Sequence, residues 1–144
     1  IVMICNTAHY WVSKIRNRIQ IPFISIIEET CEYIQSQNCN NICILATSAT
    51  KKEELYASKF NKLQIQYGYP NEQQQENLMR AIYFIKGKRI KEAKELLTII
   101  LTELKQFKFQ YFLLGCTELP LVLKGNKFLD PSVIVIQKIL TLFE

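Results

Sequence analysis

One histidine, four glycines, four prolines and one tryptophan serve 144 residues, and these scarcities exclude several functions. A Cys-His or Ser-His nucleophile needs an imidazole beside it. His9 is the only one present, and its place suits a hydrogen-bonded residue near a helix start better than a general base. None of the glycines falls in a GxGxxG or GxxxxGK pattern, so no glycine-rich phosphate loop is present. Cys39 and Cys43 have the spacing of a weak metal pair, but a structural zinc site needs two further ligands, and no metal is expected. No apolar run approaches the about 20 residues that span a bilayer, and no basic-then-apolar stretch ends in a small-residue cleavage site. Repeats, low-complexity tracts and Gly/Ser linkers are also missing.

What is present describes a folded α/β protein. Apolar residues make up 49% and charged residues 22%, a balance for a packed core rather than a disordered chain. Five cysteines, an odd number, point to reduced thiols and a cytoplasmic location rather than a disulfide framework. The net charge of +5 admits an anionic partner. The lysines are scattered, however, and no aromatic-interleaved RNA motif accompanies them, so neither nucleic acid nor membrane is expected as a partner.

Strand-like and helix-like segments alternate. Ile1 to Ile4, Phe23 to Ser25, Ile42 to Ala46, Leu63 to Tyr67 and Tyr111 to Leu114 read as strands. Tyr10 to Ile19, Ile26 to Gln37, Thr50 to Asn61, the stretch after Pro70-Asn71 to Lys86, Ile90 to Leu104 and a final segment to Phe143 read as helices. Thr50-Lys51-Lys52-Glu53 has the form of a capping box, Gly87 suits a helix stop, and Asp130-Pro131 suits a helix start. This order predicts parallel βαβ units with helices on both sheet faces. The chain also starts at Ile1 within a strand that needs neighbours on both sides, which raises the expectation of sequence upstream.

Two strands end in a cysteine followed by polar residues: Cys5-Asn6-Thr7 and Cys116-Thr117-Glu118. In open α/β sheets, ligands bind outside the carboxyl ends of the strands. A cysteine there that leads into a helix N-terminus has enhanced thiolate character. Asn6, Thr7 and Thr117, with nearby backbone N–H groups, suit a carboxylate. Free cysteines are more often core residues, and that reading holds for Cys31 and Cys43. For Cys5 and Cys116 the polar neighbours favour a site. Thr47-Ser48-Ala49-Thr50 forms a third strand-end loop, read either as a cap at Thr50 or as Thr47 facing a ligand. Lys86 alone would be solvated surface.

These residues resemble the aspartate/glutamate racemase family of cofactor-independent amino-acid racemases. The matching blocks are Cys5-Asn6-Thr7-Ala8-His9, Ile44 to Thr50 with Tyr56 following, Ile82-Tyr83-Phe84-Ile85-Lys86-Gly87, Leu114 to Leu121, and Asp130-Pro131. They occur in the family's order across the whole chain. The resemblance implies two pseudo-symmetric parallel-sheet, Rossmann-like domains, with Cys5 and Cys116 as opposed catalytic acid and base across a cleft. It also implies that Asn6, Thr7, Thr47, Thr117 and Glu118 contact the substrate and that Lys86 anchors an acidic side chain. No cofactor or metal takes part, the ligand is a small amino acid, and the full-length form is expected to be a homodimer. Glutamate racemases tend to carry histidine where Glu118 stands. Arylmalonate decarboxylases, with one cysteine, are disfavoured by the second thiol.

Length alone suggests one domain. The family's upstream segment is absent, so the resemblance predicts a partial first domain, 1–26 plus 126–144, and a nearly complete second, 27–125. Two functions compete: racemisation of aspartate or glutamate, and an inactive racemase-like domain acting through association.

Overall fold

A strand with no polar residue must be covered on both faces, and Ile42–Ala46 is buried throughout at the centre of the larger sheet. The computed structural model describes residues 1–142, the side chain of Ser13 apart. Its elements run β1 (Val2–Met3), α1 (Val12–Ile15), β2 (Ile24–Ser25), α2 (Ile26–Ser36), β3 (Ile42–Ala46), α3 (Ser48–Lys52), α4 (Ala57–Leu63) and β4 (Tyr67–Gly68). There follow α5 (Glu72–Lys86), α6 (Ile90–Leu104), β5 (Tyr111–Gly115), β6 (Phe128–Leu129) and α7 (Pro131–Leu140). The larger sheet has the order β4-β3-β5-β6, and β1 and β2 form a separate two-stranded ladder. All the pairings are parallel.

The period-two alternation of a strand divides the core. Cys43, Leu45, Phe112 and Leu114 pack on one face with Leu78, Ile82, Leu97 and Ile100 from α5 and α6. Ile42, Ile44, Ala46 and Leu113 pack on the other with residues of α2, α4 and α7. Each such fully buried aliphatic side chain contributes about 1.5–3 kcal/mol. Caps fix the helix starts. Ser25 Oγ accepts from Glu28 N at 3.3 Å, with Glu28 and Glu29 in the favourable first turn of α2. Asn71 and Gln74 make a reciprocal capping box at α5, and Asp130 caps α7 with Pro131 at its first position.

Several expected boundaries differ. Tyr10 to Ile19 is not one helix but the short α1 between two 3₁₀ turns, Thr7–Trp11 and Arg16–Arg18. It has no side-chain cap and little buried surface, so β-branched Val12 and Ile15 do not sustain a longer one. The helix expected from Thr50 is two helices. Thr47 caps the first, and Glu54 at φ +49 separates them. Expected strand Leu63 to Tyr67 shrinks to β4, because α4 runs to Leu63 and Gln64 turns the chain at φ +56. Gly87 keeps a negative φ, and Lys88 takes the left-handed position at φ +61. The strand β6 was not anticipated. The expected helix end at Phe143 lies outside the described residues. Within the segment 126–144, β6 is hydrogen-bonded to β5 and α7 packs on α2, so this part sits against the larger sheet.

Candidate active site

Register builds the site. Parallel pairing aligns Ala46 with Gly115, so the next residues, Thr47 and Cys116, emerge side by side at the carboxyl ends of β3 and β5. Glycine at 115 has a physical reason: a Cβ there would stand 2.9 Å from the Ala46 Cβ and 3.5 Å from the Tyr56 ring.

The loop after β1 is tied to this edge. Thr7 Oγ1 lies 2.9 Å from Thr47 Oγ1 and 2.9 Å from Thr50 Oγ1, and the latter two are 3.0 Å apart. The three hydroxyls satisfy one another, and Thr47 Oγ1 also accepts from Thr50 N. Asn6, almost fully buried, accepts a hydrogen bond from the Tyr56 hydroxyl. His9 Nδ1 donates to the Cys5 carbonyl at 2.8 Å, the structural role expected for it. Burial holds the His9 imidazole below its ordinary 6.5, against the opposing pull of that carbonyl. The unfolded chain therefore takes up this proton first as pH falls. The stabilisation is complete above about pH 6.5 and is lost as pH drops toward the folded value. Urea unfolding of wild type and His9→Gln should show wild type losing more stability on acidification; a pH-independent difference between them would refute the assignment.

A second cluster surrounds Cys116. Its Sγ–H donates to Glu118 Oε2 at 2.9 Å, and Thr117 Oγ1 donates to the same oxygen at 3.3 Å. The other oxygen, Oε1, lies 3.6 Å from Lys86 Nζ. Alternation directs Cys116 to the α5–α6 face, and Lys86 ends α5. Burial pushes the Cys116 thiol up to about 12, with Glu118 adding to the rise and Lys86 opposing it. Burial alone would raise the Glu118 carboxyl as well. The Cys116 S–H, its own loop N–H, Lys86 and Thr117 outweigh that and bring it below the usual range.

The sequence-predicted residues thus fall into separate bonded groups. Thr7 and Thr47 join through their hydroxyls, Asn6 is bonded to Tyr56, and Lys86, Cys116, Thr117 and Glu118 form the third group. Cys5 stands exposed while Cys116 is buried, so the two thiols occupy unlike surroundings. Lys86 is not merely solvated surface, since it pairs with Glu118. Sequence reasoning missed the linking role of Thr50 and of the Tyr56 hydroxyl. It also missed Gln75, whose Nε2 donates to the Ala46 carbonyl at 2.9 Å. The available signal for Gln75 was a polar residue on the stripe of Leu78, Ile82 and Ile85.

These features define a parallel α/β protein in which Cys116, bonded to Glu118, stands at the carboxyl end of β5. The model of the Asp/Glu/hydantoin racemase family matches residues 1–139, and the chain belongs to that family. An uncharacterized protein of the pnlA 3′ region of Pectobacterium carotovorum subsp. carotovorum is 33% identical over 122 residues, 85% of this chain and 81% of that one. An aspartate racemase from Picrophilus torridus superposes with a TM-score of 0.83 at 23% identity over 95% of this chain. An aspartate racemase homologue from Pyrococcus horikoshii does so with 0.83 at 25% identity over 99%. The chain spans 61% and 65% of those two structures, respectively.

Proposed function

We propose that this chain carries both thiols of a pyridoxal-phosphate-independent amino-acid racemase acting on aspartate or glutamate, with Cys5 and Cys116 on opposite faces of Cα. One thiolate takes the Cα proton. The opposite thiol supplies a proton to the other face, so no net oxidation occurs. The observation carrying this reading is the strand register that sets Cys116 beside Thr47, with Asn6 and Thr7 drawn to the same edge. Asn6, Thr7, Thr47 and Thr117 offer hydrogen bonds to the amino-acid head. Lys86 offers a cation to the side-chain carboxylate, in competition with Glu118. The Cα proton is weakly acidic, so the reaction needs fixed dipoles around the developing carbanion in a closed site. Two pseudo-symmetric domains closing over the substrate meet that need.

The test is incubation with each enantiomer of aspartate and glutamate in deuterium oxide without added cofactor. Deuterium at Cα together with the opposite enantiomer is expected. Absence of exchange with all four, for well-folded protein, sinks the proposal.

A further inference from the structure

We propose that Glu118 is a positioning residue for Cys116 rather than a substrate ligand: it holds the Cys116 proton in the free enzyme and makes Cys116 the resting acid of the thiol pair. The assignment rests on the racemase reading for its catalytic meaning, and on the Cys116–Glu118–Lys86 geometry for its substance.

Both Glu118 oxygens are engaged within the protein: Oε2 accepts from Cys116 Sγ at 2.9 Å and from Thr117, and Oε1 faces Lys86 at 3.6 Å. A second carboxylate brought beside Glu118 would also meet like charge. Its contact with the thiol has a defined chemical sense. A carboxylate in hydrogen-bond contact favours S–H over S⁻, because the thiolate would place two anions against each other with little water to screen them. The charged groups acting on Cys116 are Glu118 from its own loop and Lys86 from the end of α5, with opposite effects. Cys43, in the same apolar cluster, is itself pushed up to about 12 by burial and carries no charge at neutral pH.

The proton balance follows. In the free enzyme the proton sits on Cys116 and Glu118 accepts its hydrogen bond. When the opposite thiolate removes the Cα proton, Cys116 gives its own proton to the other face and becomes the thiolate. Substrate binding at Lys86 then alters the balance: as Lys86 turns toward the incoming carboxylate, its pull on Glu118 weakens. Lys86 thereby couples substrate charge to the protonation of Cys116.

The experiment is a pH titration of the Cys116 Cβ resonance in full-length protein labelled with ¹³Cβ-cysteine, assigned by comparison with Cys116→Ser. In wild type the resonance is expected to stay at its thiol position to about pH 10. In Glu118→Gln, which keeps the size and one acceptor, the midpoint is expected to fall by about one pH unit or more. Glu118→Asp, which keeps the charge, should move it less. Lys86→Met should shift it upward. An unchanged or raised midpoint in Glu118→Gln overturns the assignment. Because the resonance reports the thiol whether or not the protein turns over, the two readings fail separately. A lowered midpoint without Cα exchange removes the racemase reading and keeps Glu118. Cα exchange with an unmoved midpoint does the reverse.

Discussion

Cys5→Ala and Cys116→Ala are each expected to lower the rate of inversion at Cα by about 10²–10⁴-fold, the range over which a positioned acid or base acts. Inversion needs a proton removed on one face and supplied on the other, so neither thiol can replace its opposite. Substitution from nearby is also excluded for Cys116. Glu118 is the only carboxylate bonded to it among the described residues, and its carboxyl lies below the usual range, which makes it too weak a base for a Cα proton. Two residues acting as one unit give non-additive losses, so the double variant should be no slower than the worse single one. Cys31→Ala is the control. Its thiol is buried on α2 and pushed up to about 12 by burial, and its loss should reduce stability while sparing the rate per folded molecule. Chiral chromatography against time provides the measurement. If either Cys5→Ala or Cys116→Ala keeps more than about a tenth of the wild-type rate, the two-thiol mechanism fails.

The parts legible in the sequence were those whose signals are local. Ile42-Cys43-Ile44-Leu45-Ala46 could only be a doubly covered strand, and it is one. Ile27, Cys31 and Ile34 share the buried face of α2, as their spacing indicates, and Asp130-Pro131 starts α7. Parallel α/β architecture follows from such segments taken in order. What stayed hidden depends on partners distant in the chain. Phe128–Leu129 is a strand because β5 presents an open edge beside it; two residues alone carry no periodicity. Thr47 rather than Thr50 caps α3, because Thr50 is turned inward to Thr7 and Thr47. Lys88 takes the left-handed turn although glycine stands one place earlier, since the length of α5 decides which residue arrives there. Within the site, Cys116, Thr117 and Glu118 could be read as a local motif. Their bonding to Lys86, and that of Asn6 to Tyr56, spans 32 and 50 positions, respectively, and required the fold.

The Asn6–Tyr56 contact supplies the largest expected loss of stability. Tyr56 is fully buried, tilted against Phe60 with ring centroids 6.1 Å apart, and its edge borders Gly115. Its hydroxyl donates to Asn6, and burial raises the phenol well above its ordinary value, so it remains a donor at every pH the fold tolerates. Tyr56→Ala removes an aromatic core side chain and should cost about 3–5 kcal/mol. That is a large share of the about 5–15 kcal/mol that holds a domain folded. Tyr56→Phe isolates the polar part. It keeps the ring but leaves the buried Asn6 oxygen without a donor, a loss of about 1–3 kcal/mol. Asn6→Ala in the Tyr56→Phe background should cost less than Asn6→Ala alone, because the orphaned oxygen goes with it. Chemical denaturation of the four proteins measures this cycle, and a Tyr56→Phe change within about 0.5 kcal/mol would dismiss the contact as a structural tie. Asn6 adjoins Cys5, so its tether to Tyr56 also fixes the backbone that carries the exposed thiol. Tyr56→Phe should therefore slow inversion more than its stability loss explains, with kcat falling in protein that remains folded.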